Sequence, residues 1–252
     1  MITDSNDWDK GLVGDFKQKK LEQEAQRNWD KFYNRNGNNF FKDRNWSGKD
    51  LKDLCPDIDF NNAINYIEAG CGVGNMLFPL QREFPNWNMF AFDFSEKALT
   101  LLKKRASELG INVTCTMVDL SVLREQPPFE EECDLASLIF VLSAIHPEKQ
   151  LIAVENMRKI VKVGGSVVVR DYGANDHAMI RFGRGARLGD RFYARQDGTR
   201  AYYFYLEELV ETFEKAGFRC ISSEYLHKTT INHKKELQVP RIFVQARFIR
   251  NN

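Results

Sequence analysis

Several features are missing from this 252-residue sequence, and each absence narrows what the chain can be. No stretch approaches the roughly 18 apolar residues that suggest a membrane-spanning helix. The five cysteines (Cys55, Cys71, Cys115, Cys133 and Cys220) are scattered and form no Cys-x-x-Cys pair. That spacing gives neither a disulfide framework nor a zinc site. Net charge is only +1, so whole-chain charge does not argue for a polyanionic partner. The first residues are polar and acidic, unlike a secretory signal, and no arginine-rich transit sequence is present. There is no internal repeat and no low-complexity segment. The expectation is a cytoplasmic protein, or one shared with the nucleus, with no metal and no membrane contact.

What is present is an alternation of short apolar runs and helical stretches from residue 65 onward. Residues 66–69, 89–92, 112–118, 134–141 and 166–170 read as strands, with two more around 219–225 and 241–249. Helices are expected over 75–84, 96–109, 148–161 (ended by Gly164-Gly165) and 206–216 (ended by Gly217). Strands alternating with helices predict an α/β fold with a doubly wound, mostly parallel seven-stranded sheet. Residues 1–60 differ. There, 15–33 reads as one amphipathic helix with Phe16, Leu21, Ala25, Trp29 and Phe32 or Tyr33 on its apolar face. The division expected is a helical extension over 1–60 and an α/β domain over 61–252. An insert at 173–200 interrupts the alternation and is too long for an ordinary connection, so it is either functional or disordered. It holds six Arg against three Asp, and residues 219–250 hold seven basic side chains against two acidic. Such local charge suits a polyanion or a merely solvated surface.

The strand ending at Ala69 runs into Gly70-Cys71-Gly72-Val73-Gly74, and a helix follows. Glycines there allow sharp turns and close backbone approach to a ligand. Nineteen residues beyond Gly74, at the end of the next strand, stands Asp93, placed to accept hydrogen bonds from both hydroxyls of a ribose. The spacing G-x-G-x-G is not the dinucleotide G-x-G-x-x-G, which presents a helix N-terminus to a pyrophosphate. With Glu68 preceding it, the loop resembles the first motif of class I (Rossmann-like) methyltransferases. The implied cofactor is S-adenosylmethionine, a sulfonium cation without phosphate that tolerates nearby acids. Asp119-Leu120, after the third strand, would face the adenine. Ile139, on the fourth strand, would pack on the adenine or beside the methionine moiety, or serve simply as core.

Common catalytic groups are absent. After the fourth strand there is no Asn/Asp-Pro-Pro-aromatic motif of exocyclic amine methylation. No cysteine is placed for attack on a pyrimidine ring, and Cys71 and Cys133 read as small buried residues. His146 before Pro147 reads as a capping or surface residue. A methyl acceptor that needs no deprotonation fits, and cytosine N3 is one. Its product is a cation, and Asp171, just past the strand at 166–170, is placed to stabilise the developing charge. An ordinary strand-end acid is the alternative.

Six blocks of sequence together resemble the eukaryotic methyltransferase-like enzymes that make 3-methylcytidine in transfer RNA. They are Phe40-Phe41-Lys42-Asp43-Arg44-x-Trp46, Glu68 through Asn75, Asp93-Phe94-Ser95, residues 138–144, Arg170-Asp171-Tyr172-Gly173, and Arg195 through Arg200. The resemblance spans about residues 16–248. It implies cytidine 32 of the anticodon loop as substrate, and cofactor contacts at Trp29, Tyr33, Gly70, Asp93, Asp119, Leu120 and Ile139, with Gly72 in the same loop. Trp29 and Tyr33 would then close over the cofactor as a lid. A flipped cytosine would stack on Phe41 and be held by Arg44 and Asp171, with the basic segments on phosphates. Asp176-His177-Ala178-Met179 and Gln196 resemble the serine-tRNA branch, whose implied partners are serine tRNA and seryl-tRNA synthetase. Residues 183–187 carry extra Gly and Arg relative to that pattern. Two other readings stay open: a methyltransferase for a small molecule or protein, and an RNA-binding subunit that keeps the fold without catalysis.

Overall fold

The computed structural model describes residues 11–37, 47–232 and 237–252. Its centre is a seven-stranded sheet built from β1 (Asn65–Ala69), β2 (Asn88–Asp93), β3 (Thr114–Met117), β4 (Cys133–Ile139), β5 (Val161–Tyr172), β9 (Phe218–Asn232) and β10 (Leu237–Arg250), in the order β3-β2-β1-β4-β5-β10-β9. The first five pair in parallel, while β10 is antiparallel to both β5 and β9. The mostly parallel, doubly wound sheet of seven strands is therefore the one the alternation predicts. The order reverses between β1 and β4, and in open α/β sheets ligands bind outside the strand C-termini at such a switch point.

The central strands β1, β2 and β4 are buried on both faces, as their apolar runs require. One face packs Ile67, Leu138, Val167 and Phe248 against α6 (Gln150–Ile160) and α8 (Leu206–Lys215). The other packs Tyr66, Met89 and Val168 against α3 (Ser47–Leu54), α4 (Leu77–Glu83) and α5 (Glu96–Leu109). Helix α5 matches its expected bounds because both ends are encoded locally. The Ser95 hydroxyl accepts from Ala98 N at 3.1 Å, and Gly110 takes the left-handed conformation with φ 65°.

Three expectations change. The helix at 148–161 stops at Ile160, before the glycine pair, because Val161 is already extended and pairs with Cys133. The single helix over 15–33 is two, α1 (Asp15–Gln23) and α2 (Ala25–Asn36), broken at Glu24. The apolar face supposed to run through both does not hold, since Phe16 is 84% exposed while Phe32 and Tyr33 are buried. The insert is ordered. It contains α7 (His177–Ile180) and a three-stranded antiparallel sheet of β6 (Arg187–Gly189), β7 (Phe192–Ala194) and β8 (Arg200–Tyr202). Helix α3, unforeseen in the sequence, buries Leu51 against the second core.

Candidate cofactor and RNA site

The loop between β1 and α4 turns on left-handed glycines. A Cβ on Gly70 (φ 61°) would lie 2.5 Å from Val141, and one on Gly72 (φ 53°) would lie 2.6 Å from the Tyr33 hydroxyl. The Gly72 N–H donates to Asp93 Oδ2 at 2.8 Å, and Ser95 N–H donates to Oδ1, also at 2.8 Å. The acid is thus oriented by backbone on both sides, with acceptor capacity left on each oxygen. Burial pushes the Asp93 carboxyl up to about 6 against the pull of these N–H donors. Since the Gly72 N–H is turned to a protein carboxylate, it is not offered to a phosphate, which separates this loop from dinucleotide loops.

A cavity of about 380 Å³ opens here, walled by Trp29, Tyr33, Gly70, Asp93, Asp119 and Leu120 among others. Its volume lies in the usual range for small-ligand sites. Asp119 is held by Ser121 N–H, which donates to Oδ1 at 2.8 Å. Gly72 does not line the cavity but carries the hydrogen bond that aims Asp93. Ile139 packs against the core under α4 and α5, and the following residues, Phe140 and Val141, form the cavity wall instead. Phe41 and Arg44 lie outside the described residues.

Helix α2 is fastened from two directions. On α2, Asp30 accepts from Ser95 Oγ at 2.6 Å and from Lys97 N–H at 3.2 Å, binding the helix to the start of α5. The rings of Trp29 and Tyr33 lie 6.0 Å apart, both on the cavity wall, with the Tyr33 hydroxyl against Gly72. From the other side, buried Asn28 donates to Gly198 O of the insert at 3.1 Å. Glu22 at the end of α1 binds both Arg200 of β8 and, at 2.5 Å, Lys149. Burial would raise the Glu22 carboxyl, but these two cations bring it below its ordinary value. Glu22, Lys149 and Arg200 all reach the cavity. Sequence reasoning missed Glu22 and Lys149 and placed Arg200 only within the Arg195–Arg200 block, because nothing short in range pairs residues 22 and 200.

Asp171 is completely buried rather than facing the cavity. Its Oδ2 accepts from Ser143 N–H and its Oδ1 from Tyr172 N–H, both at 2.9 Å. Burial pushes its carboxyl up to about 6 against the pull of the Ser143 and Tyr172 groups and of the Arg195 charge. It sits directly beneath the turn Leu142–Ala144, whose last residue lines the cavity.

The Methyltransferase domain family matches residues 67–165. The chain is 45% identical over 246 residues to the human tRNA N(3)-cytidine methyltransferase METTL6, covering 96% of this chain and 86% of that protein. It is 34% identical to the tRNA N(3)-methylcytidine methyltransferase trm141 of Schizosaccharomyces pombe, covering 93% and 96%. The chain belongs to the tRNA N(3)-cytidine methyltransferase family. Among solved structures, the fold of this methyltransferase is similar to a SAM-dependent methyltransferase from Anabaena variabilis, with TM-score 0.67, 17% identity, and 90% of this chain and 95% of that one covered. A Burkholderia thailandensis 1,6-didemethyltoxoflavin-N1-methyltransferase matches with TM-score 0.61 and 16% identity, covering 92% and 90%. The cofactor of this methyltransferase is S-adenosylmethionine. The site fits that molecule: its buried acid suits a ribose, its walls mix apolar and polar groups, and its glycine loop offers no phosphate cradle.

Proposed function

We propose that this methyltransferase modifies N3 of cytidine 32 in the anticodon loop of serine tRNA, with seryl-tRNA synthetase as a partner, in the cytoplasm and in part in the nucleus. The observation that carries the reading is a lidded cofactor cavity tied by Asn28 and Glu22 to an arginine-rich insert. Small-molecule methylation gives no reason for exposed Arg181 and Arg184 to stand beside that lid.

S-adenosylmethionine, when bound, supplies an electrophilic methyl group on a sulfonium. Asp93 holds the ribose hydroxyls through acceptor capacity that Gly72 and Ser95 leave open. Trp29 and Tyr33 exclude water from above. The incoming cytosine needs no base to activate it, since its N3 lone pair is free at neutral pH, and the modified ring is a cation. Asp171, ionised and dry under Leu142–Ala144, favours that charge from beneath the turn, where low polarisability strengthens its field. Phe41 and Arg44 hold the flipped base, while Arg181 and Arg184 meet backbone phosphates.

The test is mass spectrometry of nucleosides from serine tRNA treated with the protein and isotopically labelled cofactor. The expected product is labelled 3-methylcytidine at position 32 alone. Labelling without RNA, or of another nucleoside, would overturn the reading.

A further inference from the structure

We infer that the ring of Phe140, backed by Tyr172 and Phe243, is the stacking wall that receives the flipped pyrimidine beside the cofactor cavity. The inference rests on the proposed function and adds a contact for the target base at a residue of the 138–144 block to which the resemblance assigns no role.

Phe140 directly follows β4 and takes φ 60°, a left-handed backbone that a bulky side chain rarely adopts. Its N–H donates to Arg170 O at 2.8 Å, which holds the strained conformation in place. Non-glycine strain of this kind persists where the surroundings over-determine it, and it gathers at functional sites. Its consequence is geometric. The residue leaves the strand's alternation, and its half-buried ring forms part of the cofactor wall instead of joining either core.

The same ring lies 4.8 Å from Tyr172 and 5.5 Å from Phe243, both also half-buried. Two guanidinium groups cover this group of rings. Arg195 lies 5.5 Å from the Tyr172 ring, and Arg241 lies 5.1 Å from that of Phe243. Both are held in place, Arg195 by donating to Arg200 O at 3.1 Å and Arg241 by Asp176 at 2.9 Å. Partly exposed rings beside fixed cations suit an unstacked base with its phosphate, because every base has a π-face and each nucleotide a charge. A purely structural aromatic cluster would need neither the exposure nor the left-handed backbone. Phe140 is the member shared by the two surfaces, so a base lying on it is next to the cofactor.

The test uses an anticodon stem-loop RNA carrying the fluorescent base pyrrolocytosine at position 32, with S-adenosylhomocysteine present. The wild type should quench the fluorophore by stacking. Phe140→Leu should lose that quenching and form 3-methylcytidine on natural tRNA about 10- to 100-fold more slowly, the range of one lost base–aromatic stack. Tyr172→Leu, outside the cofactor cavity, should also lose quenching while its cofactor affinity, measured by calorimetry, stays within about threefold, and Phe140→Tyr should show wild-type quenching and rate. If Phe140→Leu fails to fold, Tyr172→Leu, outside the cofactor cavity, must show the same loss of quenching. Normal rate and quenching in Phe140→Leu, beside an active wild type, would overturn this inference alone. Equal losses of cofactor affinity and rate would overturn it too, reducing Phe140 to a wall of the cofactor site. A wild type that forms no 3-methylcytidine would overturn the functional reading and this inference with it.

Discussion

Two sides of one cavity are built in opposite ways. On the glycine-loop side, Gly72, Asp93 and Ser95 are joined by backbone N–H groups donating to a carboxylate, across 21 residues of a strand-turn-helix-strand unit. On the insert side, Glu22, Lys149 and Arg200 meet through long side chains from segments up to 178 residues apart. The first arrangement is rigid and suits a fixed ligand. The second consists of ion pairs between long side chains, an arrangement suited to the proposed lid. On this proposal the first side sets cofactor affinity and the second its exchange rate.

The largest expected effect falls on the rigid side. Asp93→Ala removes the ribose acceptor and leaves the Gly72 and Ser95 N–H groups without their carboxylate. Hydrogen bonds to charged groups are worth about 1.5–3 kcal/mol each. Calorimetry should therefore show cofactor affinity weakened on the order of 100-fold or more. Unchanged affinity would mean that the two sides do not differ as described.

Asp171→Asn should come next. It keeps the packing beneath Leu142–Ala144 but removes the charge, and the methylation rate should fall about tenfold or more with cofactor affinity unchanged. Asp171→Ala leaves Ser143 N–H without its acceptor and should also lower the melting temperature.

A pH experiment sharpens the comparison. The Asp93 carboxyl is raised from 3.8 to about 6, and once protonated it keeps less acceptor capacity and donates from one oxygen. Cofactor affinity should fall as pH drops below about 6, with a flatter profile in Asp93→Asn. Stability moves the other way for this group. A carboxyl whose folded value is raised contributes stability below 3.8 that is lost as pH rises through about 6. The apo protein with Asp93→Asn should therefore lose less stability than the wild type between these two values.

On the insert side, effects are smaller. Glu22→Gln weakens both ion pairs of a half-exposed group, worth about 1 kcal/mol in all. Stopped-flow measurement should show cofactor release several-fold faster, with the glycine-loop contacts intact. Smallest in free energy is the double variant Arg181→Ala and Arg184→Ala. It should reduce the slope of log affinity for tRNA against log salt by about 2, one per lost phosphate contact, and leave cofactor affinity unchanged.

Legibility in the sequence followed the range of the contacts. The strand-loop-helix at 65–83 and the acid at Asp93 could be read because glycine spacing and strand ends carry their own geometry. Helix α5 was readable for the same reason, with Ser95 and Gly110 capping its ends. From hydrophobic period alone, helices α1 and α2 were legible only as one amphipathic stretch. Its break at Glu24 follows from two separate docking partners, α5 for Asp30 and the insert for Glu22, which periodicity does not encode. The place of Asp171 was legible, but its orientation was not, because Ser143 N–H draws the carboxylate under the turn. Phe140 was invisible inside an apolar run, since a strand pattern does not reveal the residue at which the strand ends in a left-handed turn.

By itself, then, the order of residues determined the sheet, the glycine loop and its acid, because hydrophobic period and local turn chemistry act over a few residues. Only the tertiary structure decided which charges fasten the lid, how the insert folds into its own small sheet, and which aromatic ring faces the cofactor. The ion pairs join side chains more than 100 positions apart, while the insert's sheet and the turn at Phe140 form over shorter spans that hydrophobic period does not encode; in each case packing selects the partner.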